Sequence, residues 1–285
     1  MPELPEVEVV RAGLEPALLG ARIDAVQVFD PRSLKRHDSR RGDFVGMLEG
    51  ATVLSAERRG KFMWFPLDSG DALVTHLGMS GQVLLRDLDS PADRHLRIQF
   101  LITHPTHGKL AINFVDQRIF GSMAVDELVE QPSGLVPSQA AHIALDPLNS
   151  FFDDDVFIAR LRKKSTGVKR ALLDQTLISG VGNIYADESL WAAKIHGEKP
   201  ADTLSKTKAR ELLEAVRAIL LKALEEGGTS FDEQYVNVNG ESGYFSHSLN
   251  AYGQQGKPCP RCGTPIRRVT FMNRGSHFCP RCQKK

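Results

Sequence analysis

Residues 259–282 read CPRCGTPIRRVTFMNRGSHFCPRC, and this stretch decides how the C-terminal end of the chain is held together. Cys259 and Cys262 form one CxxC pair, Cys279 and Cys282 a second, with 16 residues between them. Four thiolates at this spacing can surround one zinc ion tetrahedrally, and a site with four protein ligands is structural rather than catalytic. A redox dithiol would need one CxxC at a helix start, not two matched knuckles. The residues between the knuckles should form a short hairpin carrying Arg267, Arg268 and Arg274, a form suited to probing nucleic acid.

Charge supports that direction. The net charge is only +1, but Lys257–Lys285 holds eight Lys/Arg and no acid, and Val156–Arg170 holds six and again no acid. Basic patches on a near-neutral chain suggest contact with a polyanion. No apolar run reaches the roughly 20 residues of a membrane span. The N-terminus is acidic and lacks the layout of a signal peptide. A cytoplasmic location and no membrane partner are therefore expected, and a reducing compartment again favours metal over disulfides.

At 285 residues the chain can hold two domains. PEVEVVRAGLEPALLG predicts a first helix, with Val7, Val10, Leu14 and Leu18 at three- and four-residue spacing and Gly20 as its stop. From about Arg22 to Asp126, short apolar runs broken by Gly, Asp, Pro and His predict an antiparallel sandwich or barrel packed on that helix. The fold class expected is mixed α and β: an N-terminal β-sandwich domain over 1–130, a linker over 131–150 with three prolines, a helical domain over 151–228, a loop region over 229–250 and a zinc finger over 251–285. Within the helical part, TGVKRALLDQTLI predicts a helix, SGVG a break, and NIYADESLWAAKI a further helix capped by Asn183. A long amphipathic helix then ends at Gly227-Gly228.

Three further stretches carry chemistry. MPELPE places Pro2 behind a removable methionine, with Glu3 and Glu6 three apart at a helix start. Pro2 reads either as a helix-opening residue or as a nucleophilic amine. SGVGN could bring backbone to a phosphate at a helix start, with Lys169 and Asn183 as extra donors, or could simply connect two helices. RRGKF sets Lys61 beside a strand start, and HLGMSG and DQRIFG present Met79, Arg118 and Phe120 on tight turns. Met79 and Phe120 read either as core or as apolar wedges that enter a base stack, with Arg118 pairing the base left behind.

MPELPEVE, RRGKF, HLGMSG, DQRIFG, SGVGNIYADE and the terminal CxxC…CxxC occur together and in order. Over essentially its whole length the chain resembles the bacterial formamidopyrimidine-DNA glycosylases, which remove 8-oxoguanine and ring-opened purines from DNA. The related endonuclease VIII-like enzymes, which act on oxidised pyrimidines, typically have Gly where this chain has Leu4. The resemblance implies a bifunctional glycosylase and abasic-site lyase of base excision repair, with a helix–two-turn–helix domain, one structural Zn2+ and damaged double-stranded DNA as partner. A monomer is expected, because one subunit carries a complete site.

Residue by residue, the resemblance implies that the Pro2 amine attacks the damaged nucleotide, that Glu3 shuttles protons, and that Glu6 positions the N-terminus. Lys61 would bind phosphate beside the lesion. Met79, Arg118 and Phe120 would fill the void left by the extruded nucleotide. Asn183 and Arg274 match phosphate ligands, and His76 and Tyr252 match further backbone contacts. The segment near Thr229–Gly243 corresponds to a lesion-capping loop. Two departures stand out. Ile119 replaces a second basic residue of the DQRIFG turn, and TSFDEQYVNVNGESGYF differs from the family's loop pattern, which bears on lesion preference.

Overall fold

The structure is a computed structural model, and it describes residues 2–228, 238 and 244–285. The chain divides into two compact units, Met1–His142 with Gly227–Gly243, and Ile143–Glu226 with Tyr244–Lys285.

The first unit opens with α1 (Leu4–Leu18), its predicted apolar positions Val7, Val10, Leu14 and Leu18 all buried. Nine strands follow: β1 (Arg22–Val28), β2 (Glu57–Arg59), β3 (Phe62–Pro66), β4 (Asp71–His76), β5 (Gly81–Arg86), β6 (Leu96–His104), β7 (Gly108–Asp116), β8 (Ser122–Gln131) and β9 (Gly134–Pro137). They form two antiparallel sheets in the orders β1-β6-β7-β5 and β2-β3-β4-β8-β9. Alternating positions such as Ile98, Phe100 and Ile102 of β6 meet Met63 and Phe65 of β3 and Val125 of β8 in one core that also takes in α1. Each such side chain contributes about 1.5–3 kcal/mol when fully buried. This is the sandwich expected from the strand pattern.

The stretch 131–150, expected to be a linker, instead contains β9. Its prolines allow this. Pro132 lies in the turn between β8 and β9, and Pro137 ends an edge strand, where a missing N–H costs no ladder bond. The Asp126 carboxylate then accepts from Ser138 Oγ at 2.9 Å and Gln139 N at 2.8 Å, so the chain leaves the sheet under control. The change of unit falls after His142.

The second unit holds α2 (Asp154–Leu161), α3 (Val168–Leu172), α4 (Asn183–Ala192), α5 (Lys206–Glu225) and a hairpin of β10 (Arg267–Phe271) and β11 (Arg274–Phe278). α2 packs on α5, α4 packs on α5 and on β11. Asp153 and Ser205 cap α2 and α5 through Val156 N and Lys208 N. The helix expected over TGVKRALLDQTLI is shorter than its pattern. The Asp174 carboxylate takes the N–H and hydroxyl of Thr176, and this local bonding ends α3 in favour of a turn. The Gln175 side chain then laces that turn, donating to Val181 O and accepting from Gly180 N. The cap of α4 is Gly182, not Asn183, which is its first helical residue. Among the described residues no helix is long and apolar enough to cross a membrane.

Candidate functional site

Each unit carries its own set of the residues singled out above. In the first unit, Pro2, Glu3 and Glu6 are all buried at the start of α1. Glu3 is the N-cap, and the cap is reciprocal. The Glu3 carboxylate accepts the Glu6 N–H, while Glu6 Oε2 accepts the Glu3 N–H at 2.8 Å. The spacing of two acids three apart therefore fixes both side chains and the backbone that follows Pro2. Gly228, at φ +83°, closes over this corner, and a methyl group there would meet Glu6 Oε1 at 3.2 Å.

The two arginines before Lys61 serve the frame. Arg58 donates to Glu8 at 2.8 Å, and Arg59, almost fully buried, donates to Gln131 Oε1 at 2.6 Å and Ser133 Oγ at 2.7 Å. Burial pushes the Glu8 carboxyl up, but the Arg11 and Arg58 guanidiniums outweigh it and hold Glu8 below the usual range. Thus the β2–β3 hairpin is tied both to α1 and to the β8–β9 turn. Lys61 sits in its two-residue turn and is buried.

His76 ends β4 with its ring edge-on to Phe62, the centroids 4.7 Å apart. Burial, with Arg36, Lys61 and Lys35 nearby, lowers its pKa to about 4, so it is neutral at physiological pH. Its Nδ1 accepts from Gly78 N at 3.1 Å, which leaves the ring proton on Nε2, a donor suited to a phosphate oxygen.

Met79, Arg118 and Phe120 are all exposed, on two turns that interlock. Gly78, at φ +64°, lies against the other turn so closely that a methyl group there would stand 2.3 Å from the Phe120 carbonyl carbon. The fully buried Asp116 joins both turns. It accepts from Ser80 Oγ at 2.5 Å and from the N–H groups of Arg118, Ile119 and Gly121 at 3.1, 2.9 and 2.7 Å. The Arg118 guanidinium lies 4.5 Å from the Phe120 ring centroid. Ile119 pays for this geometry with φ +56°, a left-handed conformation that costs a β-branched residue about 1–3 kcal/mol.

In the second unit the adjacent acids of NIYADES gather the loops. Buried Glu188 accepts the N–H groups of Asn250, Ala251 and Tyr252 at 3.0, 2.8 and 2.8 Å, which positions Tyr252. Buried Asp187 accepts from Ser276 Oγ and His277 N of β11 and from Lys169 Nζ at 2.6 Å. Lys169 is therefore not presented as a free phosphate donor, as the sequence suggested. It is fully buried, its ammonium paired with Asp187 and 5.0 Å from the Phe271 ring. Asn183 donates to Gly275 O at 2.9 Å, joining the start of α4 to the residue beside exposed Arg274. Sequence reasoning missed Asp116, Asp187 and Glu188. The sequence offered only their place inside the motifs already singled out, Asp116 opening DQRIFG and Asp187-Glu188 closing SGVGNIYADE.

The sulfurs of Cys259, Cys262, Cys279 and Cys282 all lie within 4.8 Å of one another, and none is in a disulfide. Tetrahedral zinc with bonds of about 2.3 Å needs sulfurs about 3.8 Å apart, so the donor set fits one ion. Trp191 Nε1 donates to Cys259 Sγ and Cys282 N to Cys279 Sγ, both at 3.4 Å, the outer bonds that orient thiolate ligands. The Arg261 guanidinium covers the Trp191 ring at 4.1 Å.

The chain matches three family models: the formamidopyrimidine-DNA glycosylase N-terminal domain over 1–123, the formamidopyrimidine-DNA glycosylase H2TH domain over 143–234, and a zinc finger found in FPG and IleRS over 256–285. The formamidopyrimidine-DNA glycosylase of Leifsonia xyli subsp. xyli is 60% identical and covers 100% of both chains. That of Nocardioides sp. is 57% identical over 99% of this chain and 94% of its own. Among solved structures, the Lactococcus lactis protein in complex with a Fapy-dG containing DNA is 33% identical at a TM-score of 0.83, covering 99% of this chain and 100% of its own. MutM in complex with carbocyclic 8-oxo-G containing DNA is likewise 33% identical, at a TM-score of 0.84 and full coverage of both chains.

Proposed function

This chain belongs to the formamidopyrimidine-DNA glycosylase family, and from that premise we propose that it excises oxidised purines from duplex DNA and then cuts the strand. It is a DNA glycosylase that acts on damaged DNA, with one structural zinc ion in its finger. The observation that carries the finer reading is the reciprocal cap that places two buried carboxylates behind Pro2.

After removal of Met1, the neutral secondary amine of Pro2 attacks C1′ of the extruded nucleotide. The glycosidic bond breaks and its electron pair leaves with the base, which takes up a proton. The Pro2 nitrogen loses its own proton, and its lone pair then expels the sugar ring oxygen, which Glu3 protonates, leaving an iminium between Pro2 and C1′. The iminium acidifies the C2′ proton. Its removal expels the 3′ phosphate, loss of the C4′ proton expels the 5′ phosphate, and water releases Pro2. Glu6 holds the Glu3 backbone through this sequence. Lys61 and neutral His76 bind phosphate, Met79, Arg118 and Phe120 offset the few kcal/mol of unstacking, and Asn183, Tyr252 and Arg274 grip the backbone. Lys169 acts as scaffold beneath them. The protein works as a monomer in the cytoplasm. We assign the domains as a sandwich with the catalytic corner, a helix–two-turn–helix and a finger. The lesion-capping loop expected near Thr229–Gly243 lies outside the described residues except for Val238, which is buried in the core of the first unit and accepts from Leu85 N at 3.0 Å.

Competitive cutting of duplexes that carry 8-oxoguanine opposite cytosine or thymine glycol tests the substrate class. Faster cutting at 8-oxoguanine is expected, and preference for thymine glycol would move the enzyme to oxidised pyrimidines.

A further inference from the structure

Lys35 follows a short turn, Pro31–Leu34, at the end of β1, and its ammonium reaches the carbonyls of Ile119 and Phe120 at 2.9 and 3.0 Å. Asp116 takes three N–H groups of the same tetrapeptide from its other side. The Phe120–Gly121 peptide thus lies between a carboxylate at its N–H and an ammonium at its C=O. The turn that carries Lys35 belongs to the same frame. Arg97 contacts Asp30 at 3.4 Å and donates to the Asp116 carbonyl at 2.8 Å, and Asp30 caps the turn through Arg32 N.

We propose that Lys35 is a positioning residue for the void-filling wedge, holding Ile119 in its left-handed conformation so that Arg118 and Phe120 are in place before DNA arrives. This rests on the wedge reading of Met79, Arg118 and Phe120. The family's second basic residue is absent at position 119, and a β-branched side chain does not favour this backbone. Asp116 restrains the N–H groups from within the turn, and Lys35 holds the Ile119 and Phe120 carbonyls from 84 and 85 residues away. Charge-assisted bonds to two carbonyls are stronger than their neutral counterparts, and pre-arranged groups lose less freedom on binding.

The test uses single-turnover excision of 8-oxoguanine in two duplexes, one with cytosine opposite the lesion and one with an abasic analogue opposite it. The second has no orphaned base to support. Phe120→Ala should be slower on the first duplex only. Lys35→Met should show the same split, slowed roughly tenfold opposite cytosine and less than about twofold opposite the analogue. Lys35→Arg, which can donate to the same carbonyls, should restore the rate. If Phe120→Ala splits the substrates but Lys35→Met slows both equally, with a shallower salt dependence, Lys35 is a phosphate contact and the proposal is wrong. If Phe120→Ala shows no split, the wedge reading itself falls, and the role of Lys35 with it.

Discussion

In the first unit the buried carboxylate of Asp116 gathers three backbone N–H groups above a core shared by two sheets and a helix. In the second, Glu188 gathers three N–H groups of the loop that leads to the finger, whose own buried cluster is Cys259, Ile266 and Cys279. The device is the same, but the foundations differ. A sandwich of this size is held by apolar burial, and Asp116 only aims its loops. A finger of about thirty residues buries too little, so metal ligation and the Lys169–Asp187 pair must do the holding.

The largest effect separates these foundations. Structural zinc contributes about 10–16 kcal/mol to small fingers, so chelation should unfold residues 256–285 and weaken DNA binding by about a hundredfold or more. The amide spectrum of the sandwich should persist. Full affinity after verified zinc loss would show that the finger does not read DNA. Next is the ion pair. Asp187→Asn takes the paired carboxylate from the fully buried Lys169 ammonium and should cost about 3–5 kcal/mol in urea unfolding. Asp116→Asn, which keeps an acceptor and strands no cation, should cost only about 1–3 kcal/mol. Equal losses would erase the contrast between the units.

The last effect is the pH response of His76. Its pKa falls from 6.5 to about 4, so the unfolded chain binds more protons between those values. Its contribution is fully present above pH 6.5 and is lost as pH falls toward 4. Imidazole resonances followed by NMR should show no titration of His76 near pH 6.5. A midpoint there would mean that burial and the nearby cations do not hold the ring neutral in mildly acidic solution.

Much of this was legible in residue order. The spacing of Val7, Val10, Leu14 and Leu18 gave α1, the broken apolar runs gave the strands, and the cysteine spacing gave the metal site. What escaped depended on partners distant in sequence. Lys169 looks like a surface donor until Asp187 closes on it, and β9 is hidden by prolines that an edge strand tolerates. Asn183 reads as a cap because its type suits one, yet its amide is taken by Gly275, 92 residues away. The reciprocal cap of Glu3 and Glu6 was half visible: their spacing gave proximity, but not which carboxylate holds which N–H.

The proposed chemistry depends above all on the amine of Pro2 as the nucleophile. Borohydride reduction of the protein on an 8-oxoguanine duplex, followed by mass spectrometry and peptide mapping, tests it most directly. One covalent adduct is expected, on an N-terminal Pro2 freed of Met1. An adduct on Lys61 would move the nucleophile, and no adduct with Pro2 demonstrably free would contradict the mechanism.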